Sequence, residues 1–419
     1  MRQNRFNFAG VAFLAVITVT MSINPTIAKD QMDPGINLDY CKAAAAYSAG
    51  CKGVSMLVMQ NGKIVFEDYP NGHNQNEPHE LASGTKSFAG VAAVAAMEDG
   101  ILSLDEKVSE TITEWKGDPR RENITIRQML NLVSGIKSSS GIAPTYAEAI
   151  KSEINAKPEE IFQYGAQSFQ IFGELMRRKL SKTKENLRDY LKRRVFQPAD
   201  IHYGFWRDGR DHLPLVPQGG GFTAREWAKF GEMLRLKGKA NGKQILKEED
   251  IPVLFTGTPA NPMYGLTFWL NRPMAEEKRS QIRLLTMASD LRFGTRGVPD
   301  DLVMAAGAGK QRLYICPSLG LVVVRQADGI GLAMRNKDAT GFSDNAFWQY
   351  LTEGKADQAA IQAEAAPNSQ APNSQAPNSQ RAGGRREAIM RIFDRNHDGT
   401  LDQSERQKLR ELMQKRRQN

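Results

Sequence analysis

The sequence predicts an α+β fold in which an antiparallel sheet joins the two ends of a large domain and helices fill its middle. Near the start, the β-prone runs VSMLVMQ and KIVFEDY are joined by Asn61-Gly62, a dipeptide typical of tight hairpin turns. Strand character returns far along the chain in YGLTFWL, QIRLLTMA and QRLYICPSLGLVVVRQ, followed by an amphipathic segment through Phe347, Tyr350 and Leu351. Such an order favours a functional centre between the sheet and the helices.

Length and composition indicate a globular chain with room for more than one domain. The chain has 419 residues, of which 41% are hydrophobic, so it can bury a large core. The formal net charge of +9 is concentrated near the two termini, which leaves the region between them close to neutral. No general basic face therefore suggests nucleic-acid binding.

The first 28 residues have the pattern of a secretory signal peptide. A basic start is followed by a short apolar stretch from Ala9 to Met21 and by small residues near Ala28, where cleavage is expected. The apolar stretch is too short for a comfortable membrane span, although an uncleaved anchor is the alternative. The mature protein is therefore expected to be secreted or periplasmic.

Three cysteines are compatible with export. Cys41 and Cys51 lie close in the sequence and could form a disulfide, but two reduced thiols remain equally compatible with the spacing. Cys316 lies in a strand-like run and is predicted to be a small buried apolar residue.

Ser83 and Lys86 stand where the apolar helical pattern SFAGVAAVAAME begins. Ser83 could be a helix N-cap, the commonest role for serine at such a place. It could instead be a nucleophile, because residues three apart share a helix face and the helix N-terminus favours developing negative charge. A lysine buried there would have a lowered pKa and could accept the hydroxyl proton.

The Ser-x-x-Lys spacing alone does not decide between these roles. It recurs twice in segments that have no apolar helix pattern, at Ser134/Lys137 and Ser181/Lys184. The first of these lies in a Gly- and Ser-rich loop signal and the second in a polar stretch. Ser83 is therefore the candidate nucleophile. No Gly-x-Ser-x-Gly elbow, zinc-protease helix or phosphate-binding loop offers a competing scheme.

Four ordered blocks carry a resemblance to a known family. ELASGTKSFAGVAAVAAMEDG, ITIRQMLNLVSGI, FQYGAQSFQIFGELMRRKL and GGGFTAREWAKFGEMLRLKGKANGKQIL resemble the serine β-lactamase-related family, which includes class C β-lactamases, DD-peptidases, esterases and aminohexanoate-dimer hydrolases. The resemblance covers roughly residues 53–353 and implies a β-lactamase/transpeptidase-like fold. It also implies that Ser83 is acylated, that Lys86 activates it, and that Tyr164 relays a proton.

The sequence departs from the family pattern at two elements. The Asn of the family's Tyr-x-Asn element is Ala166, and the Lys-Thr-Gly element is replaced by Ala305-Ala306-Gly307. A lysine and a threonine that would bind a substrate carboxylate are therefore missing, and Lys310 is nearby but out of register. Gly307 still allows close backbone approach. We expect the N–H groups of Ser83 and Ala308 to form the oxyanion hole.

The hydrolase domain is predicted to span residues 29–356 and to be followed by the segment 357–384. This segment contains APNSQ three times in succession and lacks apolar periodicity. It is predicted to be a disordered linker, because it cannot bury enough apolar surface to order itself. A small helical module, residues 385–419, follows it.

The last module contains a loop with the pattern of a calcium-binding EF-hand. DRNHDGTLDQSE has oxygen ligands at the required positions and the glycine of the sharp turn at Gly399, and apolar stripes flank it. The alternative is a degenerate helical hairpin without metal. The predicted calcium ligands are Asp394, Asn396, Asp398, Thr400, Asp402 and Glu405.

The sequence therefore favours an exported serine hydrolase that cleaves a small ester or amide through a Ser83 acyl-enzyme. Calcium would be bound outside the catalytic centre, and the EF-hand tail could contact a cell surface or another protein. Two alternatives stay open: a β-lactamase or D-Ala-D-Ala carboxypeptidase, and a calcium-dependent surface binding protein on an inactive hydrolase scaffold.

Overall fold

The computed structural model describes residues 35–282, 290–331 and 341–357. The chain divides into two compact units, residues 1–364 and 365–419, and the described residues belong to the first. The predicted signal peptide, the repeat linker and the EF-hand lie outside the described residues, as does most of the predicted strand QIRLLTMA.

One antiparallel sheet joins the two ends of the described domain, as the strand pattern predicts. Its order is β2-β1-β11-β10-β9-β8, so the first hairpin pairs with the last strand. The strands are β1 (Gly53–Gln60), β2 (Lys63–Asp68), β8 (Trp269–Leu270), β9 (Val303–Gly307), β10 (Gln311–Cys316) and β11 (Leu321–Ala327). Because β1, β9, β10 and β11 are almost wholly buried, helices must cover both faces of the sheet.

The predicted hairpin turn is confirmed. Asn61 and Gly62 both have positive φ, 47° and 79°, the geometry that a two-residue turn of this hand requires. Asparagine and glycine adopt it at little cost, so the local sequence sets the register of the first two strands.

Helices pack on both faces of the sheet. The helices are α1 (Leu38–Gly50), α2 (Lys86–Glu98), α3 (Ile126–Leu130), α4 (Tyr146–Ala149), α5 (Gln167–Lys179), α6 (Leu187–Leu191), α7 (Ala224–Arg235), α8 (Glu276–Gln281) and α9 (Asp344–Glu353). Helices α1 and α9 pack against each other, and α1 also contacts β1. Helix α7 contacts β1, β10 and β11. Within the described ranges, no helix is long and apolar enough to cross a membrane.

Two small sheets complete the described secondary structure. In the first, β5 (Gly220–Phe222) lies between β3 (His79–Glu80) and β4 (Phe205–Trp206). This sheet places the loop before Gly220 beside the segment that leads into Ser83. The second pairs β6 (Lys239–Ala240) with β7 (Lys243–Gln244).

Helix α2 is buried on all sides, as its apolar composition predicts. Every residue from Lys86 to Ala96 is buried. Small side chains let neighbouring chain segments approach closely: a Cβ at Gly90 would lie 2.3 Å from Thr267 Oγ1 and 2.5 Å from the Leu266 carbonyl oxygen. A lysine at the first residue of this helix is therefore inside the protein.

The structure decides against a disulfide between Cys41 and Cys51. Both are free thiols, as is the buried Cys316. Cys41 lies in the first turn of α1, whereas Cys51 follows the last residue of the same helix. A helix rises about 1.5 Å per residue, so their Cα atoms lie roughly 15 Å apart, about twice the distance a disulfide can span.

Candidate active site

Ser83 lies in a tight turn between β3 and α2. The sequence predicts that the helix begins at Ser83, but a 3₁₀ turn, Ala82–Thr85, comes first and α2 begins at Lys86. Ala82 has φ of 46°, an uncommon conformation for a residue with a side chain. Thr85 Oγ1 donates to the Ala82 carbonyl oxygen at 2.7 Å, which holds the turn closed. Backbone strain of this kind is typical of functional sites.

The Ser83 hydroxyl is paired with the Lys86 amine. Lys86 Nζ lies 2.9 Å from Ser83 Oγ and 3.0 Å from the Pro217 carbonyl oxygen, and Lys86 is only 3% exposed. Burial lowers the pKa of Lys86 to about 7, because the charged form is poorly solvated there. A neutral amine has a lone pair that can accept the hydroxyl proton. Ser83 therefore engages a side chain that can act as a base, and not a backbone N–H of the first turn.

The other two Ser-x-x-Lys pairs lack this geometry. Lys137 Nζ lies 2.6 Å from Glu153 Oε2 in an exposed ion pair, although Ser134 is buried. Ser181 and Lys184 are both exposed. Of the three pairs, Ser83 and Lys86 form the one in which the lysine is buried beside its serine.

Tyr164 completes a three-residue cluster with Ser83 and Lys86. Lys86 Nζ lies 4.9 Å from the centroid of its ring. Burial raises the pKa of Tyr164 to about 12, against smaller opposing effects of the nearby Ser83 and of the Arg312 charge. The phenol therefore stays protonated at neutral pH and can donate a proton. Trp269 stacks on the Tyr164 ring at 5.5 Å.

These three side chains open into one cavity of about 150 Å³, which we call the Ser83 cavity. Ala166 lies in its wall, so the methyl group takes the place where the family pattern has an amide. The lining residues are Glu80, Ala82, Ser83, Lys86, Ser140, Gly141, Tyr164, Gly165, Ala166, Gln218, Ala308 and Ile330.

The predicted oxyanion residues lie at the same cavity. Gly307 ends β9, where a Cβ would lie 2.1 Å from the Leu81 carbonyl oxygen, so the close approach of this strand to the serine turn requires glycine. Ala308 lines the cavity. Within the described part of the chain, neither the Ser83 N–H nor the Ala308 N–H donates to a protein acceptor. Both are thus available to a substrate oxygen.

Lys310 does not belong to the cavity wall. Its backbone has a positive φ of 60° in the turn between β9 and β10, and its charge favours ionisation of Asp290 and Asp344. It therefore does not replace the lysine of the family's Lys-Thr-Gly element, whose position in β9 is occupied by Ala305.

Sequence reasoning missed three groups at the site: the Pro217 carbonyl that binds Lys86, and the side chains of Glu80 and Gln218. Pro217 and Gln218 are more than 130 positions from Ser83 in the chain, and Pro217 comes 131 positions after Lys86. No local pattern marks them. Glu80 comes two residues before the serine turn, but only the folded structure places it in the cavity wall.

Comparison with known proteins agrees with this architecture. The solved structure of EstCE1, a hydrolase with promiscuous acyltransferase activity, matches with a TM-score of 0.56 at 14% identity and covers 75% of this chain and 98% of EstCE1. A family VIII carboxylesterase matches with a TM-score of 0.53 at 15% identity over 72% of this chain and 97% of the esterase. At these identities the likeness establishes the fold.

The fold and the site define a scaffold of the serine-hydrolase class. The Beta-lactamase family model matches residues 30–329, and the chain therefore belongs to the beta-lactamase family, whose members are serine hydrolases. A curated relative, Protein flp of Staphylococcus aureus strain MW2, is 24% identical over 172 residues. That match covers 36% of this chain, and the chain spans only 34% of the length of that relative.

Proposed function

We propose that the protein is a serine hydrolase that cleaves an ester or amide bond through an acyl-enzyme on Ser83. The observation that carries this proposal is the buried Lys86 amine, 2.9 Å from Ser83 Oγ, with a pKa lowered to about 7. An N-cap serine needs no such partner, and a buried lysine whose pKa is strongly lowered at the cost of stability is typical of functional sites.

In the proposed mechanism, neutral Lys86 accepts the Ser83 proton as Oγ attacks the substrate carbonyl carbon. The N–H groups of Ser83 and Ala308 stabilise the negative charge on the carbonyl oxygen. Protonated Tyr164 delivers a proton to the leaving group, so the bond to the alcohol or amine breaks and the acyl group stays on Ser83. Water then attacks the acyl-enzyme carbonyl as the Tyr164 phenolate takes its proton, and protonated Lys86 returns a proton to Ser83 Oγ as the acid is released.

The alternative activities in the family require recognition of a substrate carboxylate, as in β-lactams and D-Ala-D-Ala peptides. Ala305 and Ala306 are buried and offer neither a cation nor a hydroxyl, and Lys310 is outside the cavity wall. These features favour an ester or amide substrate that carries no carboxylate. Nitrocefin turnover comparable to ester turnover would restore the β-lactamase assignment.

The first test is covalent labelling with a fluorophosphonate, followed by intact-mass spectrometry of the purified protein. Wild type is expected to gain one adduct, and Ser83→Ala none. Ser181→Ala is the matched control, since it removes an exposed serine from an equivalent Ser-x-x-Lys spacing and should label like wild type. Failure of well-folded wild-type protein to label would disprove the proposed nucleophile.

The labelling rate is expected to rise as pH increases through about 7, because the pKa of Lys86 is lowered to about 7. Below that pH the amine is protonated and cannot accept the Ser83 proton. Tyr164 remains a proton donor throughout, since its pKa is raised to about 12. The second-order labelling constant should be measured from acidic to mildly alkaline pH. A constant that does not change with pH would show that Lys86 is not the base.

We also propose that the chain is exported and that residues 385–419 bind calcium through the loop from Asp394 to Glu405. Support comes from the sequence: the apolar N-terminal stretch and the complete set of loop oxygens. Calorimetric titration of the full chain should reveal one calcium site that is lost in Asp394→Asn combined with Glu405→Gln. Unchanged calcium binding in that double variant would contradict the assignment.

A further inference from the structure

Glu80, an acidic residue three positions before Ser83, lies in the wall of the Ser83 cavity. Its side chain is 23% exposed and lines the cavity together with Ser83 and Lys86. Among the lining residues that the structure describes, Glu80 and Lys86 are the two with chargeable carboxylate or amine groups. Since burial keeps Lys86 largely neutral in mildly alkaline solution, Glu80 then determines the charge of the described part of the cavity wall.

The ion pair that Glu80 makes leaves it able to exchange partners. Arg207 Nη2 lies 3.0 Å from Glu80 Oε2, but the Arg207 side chain is 57% exposed and is not part of the cavity wall. A pair that is open to water on one side is weak, because solvent screens it and competes for both charges. A ligand cation inside the cavity would approach Glu80 from the less solvated side, where the attraction is stronger.

The remaining polar groups in the described part of the wall do not oppose a cation. Ser140 and Gln218 offer a hydroxyl and an amide, which can accept or donate hydrogen bonds but carry no charge. The positions that would supply a carboxylate-binding lysine and threonine are Ala305 and Ala306. Among the lining residues that the structure describes, no further cation would then compensate the repulsion between Glu80 and a substrate carboxylate.

We propose that the Ser83 cavity selects substrates that carry an amine or quaternary ammonium group close to the scissile ester or amide, with Glu80 as the residue that binds this cation. Substrates with a carboxylate at the same place are disfavoured. This inference rests on the proposed acyl transfer at Ser83. It further specifies the charge that the substrate carries.

The test uses three p-nitrophenyl esters of closely similar size. The acyl groups are trimethylammoniobutanoate, its neutral analogue with carbon in place of nitrogen, and glutarate with a free carboxylate. At mildly alkaline pH, kcat/KM corrected for spontaneous hydrolysis should be about tenfold or more higher for the cationic than for the neutral ester, and lowest for the anionic ester.

Variants distinguish the effect of the Glu80 charge from a general effect of negative charge on the protein surface. Glu80→Gln should bring the cation-to-neutral ratio close to one, whereas Arg207→Gln should raise the ratio because it frees the carboxylate. Glu77→Gln is the matched control: it removes the same charge from a side chain that is 53% exposed and outside the cavity wall, and the ratio should stay within about twofold. A wild-type ratio of one or less, or a ratio unchanged in Glu80→Gln, would overturn the inference.

A binding measurement distinguishes failure of this inference from failure of the proposed function. The corresponding ethyl esters are titrated calorimetrically into Ser83→Ala, which cannot be acylated. If wild type hydrolyses none of the three p-nitrophenyl esters faster than Ser83→Ala does, the proposed acyl transfer fails. Tighter binding of the cationic ethyl ester would still support the charge preference, and equal binding of all three would overturn it.

Discussion

Lys86→Met is expected to lower the rate of Ser83 acylation by about a thousandfold or more, the typical contribution of a general base. The same change is expected to stabilise the fold. Lys86 is 3% exposed and its pKa is about 7 in the folded protein, well below the ordinary value of 10.5. The unfolded chain therefore binds the lysine proton more tightly than the folded one, which destabilises the folded protein.

This destabilisation is largest below pH 7, declines as pH rises, and vanishes above about 10.5. Methionine matches the lysine in shape and carries no charge, but it loses the hydrogen bonds to Ser83 and to the Pro217 carbonyl. We expect a net gain of about 1–3 kcal/mol in the free energy of unfolding near neutral pH. Urea unfolding of wild type and of Lys86→Met at several pH values measures this difference in the free energy of unfolding.

Lys86→Arg is the informative companion variant. It keeps a cation near Ser83 but cannot give it up, because a guanidinium stays protonated. The variant should therefore be as inactive as Lys86→Met and less stable than wild type. Retained activity in Lys86→Arg would show that the site needs a positive charge and not a proton acceptor, and a destabilised Lys86→Met would contradict the stability argument.

Asp344→Asn is expected to cost about 3–5 kcal/mol of stability, the range measured when one partner of a buried ion pair is removed. Arg312 and Asp344 are 1% and 0% exposed, and their side chains are joined by two hydrogen bonds of 2.7 and 3.0 Å. Burial opposes ionisation of Asp344, but the charge and hydrogen bonds of Arg312 outweigh it and hold its pKa well below the usual range.

Removal of the carboxylate charge takes away the opposite charge and the two hydrogen bonds that the Asp344 carboxylate accepts from the buried Arg312 cation. Arg312 also donates to the Gly307 carbonyl oxygen at 3.3 Å, so the strand beside Ser83 would be disturbed as well. Urea unfolding followed by tryptophan fluorescence is a suitable measurement, because the buried Trp348 lies on the same helix as Asp344.

Glu353→Gln provides the matched control on the same helix. Glu353 pairs with Arg296, whose side chain is 66% exposed, so its loss should cost less than about 1 kcal/mol. The double variant Arg312→Met with Asp344→Leu should recover much of the stability lost in Asp344→Asn, because it removes both buried charges. Equal costs for Asp344→Asn and Glu353→Gln would contradict the assignment of a buried pair.

Several elements could be predicted because they depend on near neighbours in the chain. The Asn61-Gly62 turn follows from the conformations that these two residues tolerate, and the burial of α2 follows from its small apolar side chains. Ser83 and Lys86 share a face because helical geometry brings together residues three apart. Tyr164 entered only through the family resemblance, since an isolated tyrosine carries no local signal.

The cysteines show the limit of sequence proximity. Cys41 and Cys51 are close in the sequence, and an extended or turning chain could have brought them together. The intervening residues form α1, which holds the two thiols apart. Regular secondary structure, and not the number of intervening residues, sets that distance.

The sequence by itself determined the α+β class, the family, and the pairing of a serine with a lysine on one helical turn. Tertiary structure alone decided which of three Ser-x-x-Lys pairs has a buried amine, because the pKa of Lys86 depends on how much water the surrounding chain excludes. It also decided that the Pro217 carbonyl accepts a hydrogen bond from this amine and that Glu80 lines the Ser83 cavity. Spacing along the chain fixes local geometry, whereas solvation and electrostatic environment arise from segments that meet only when the chain folds.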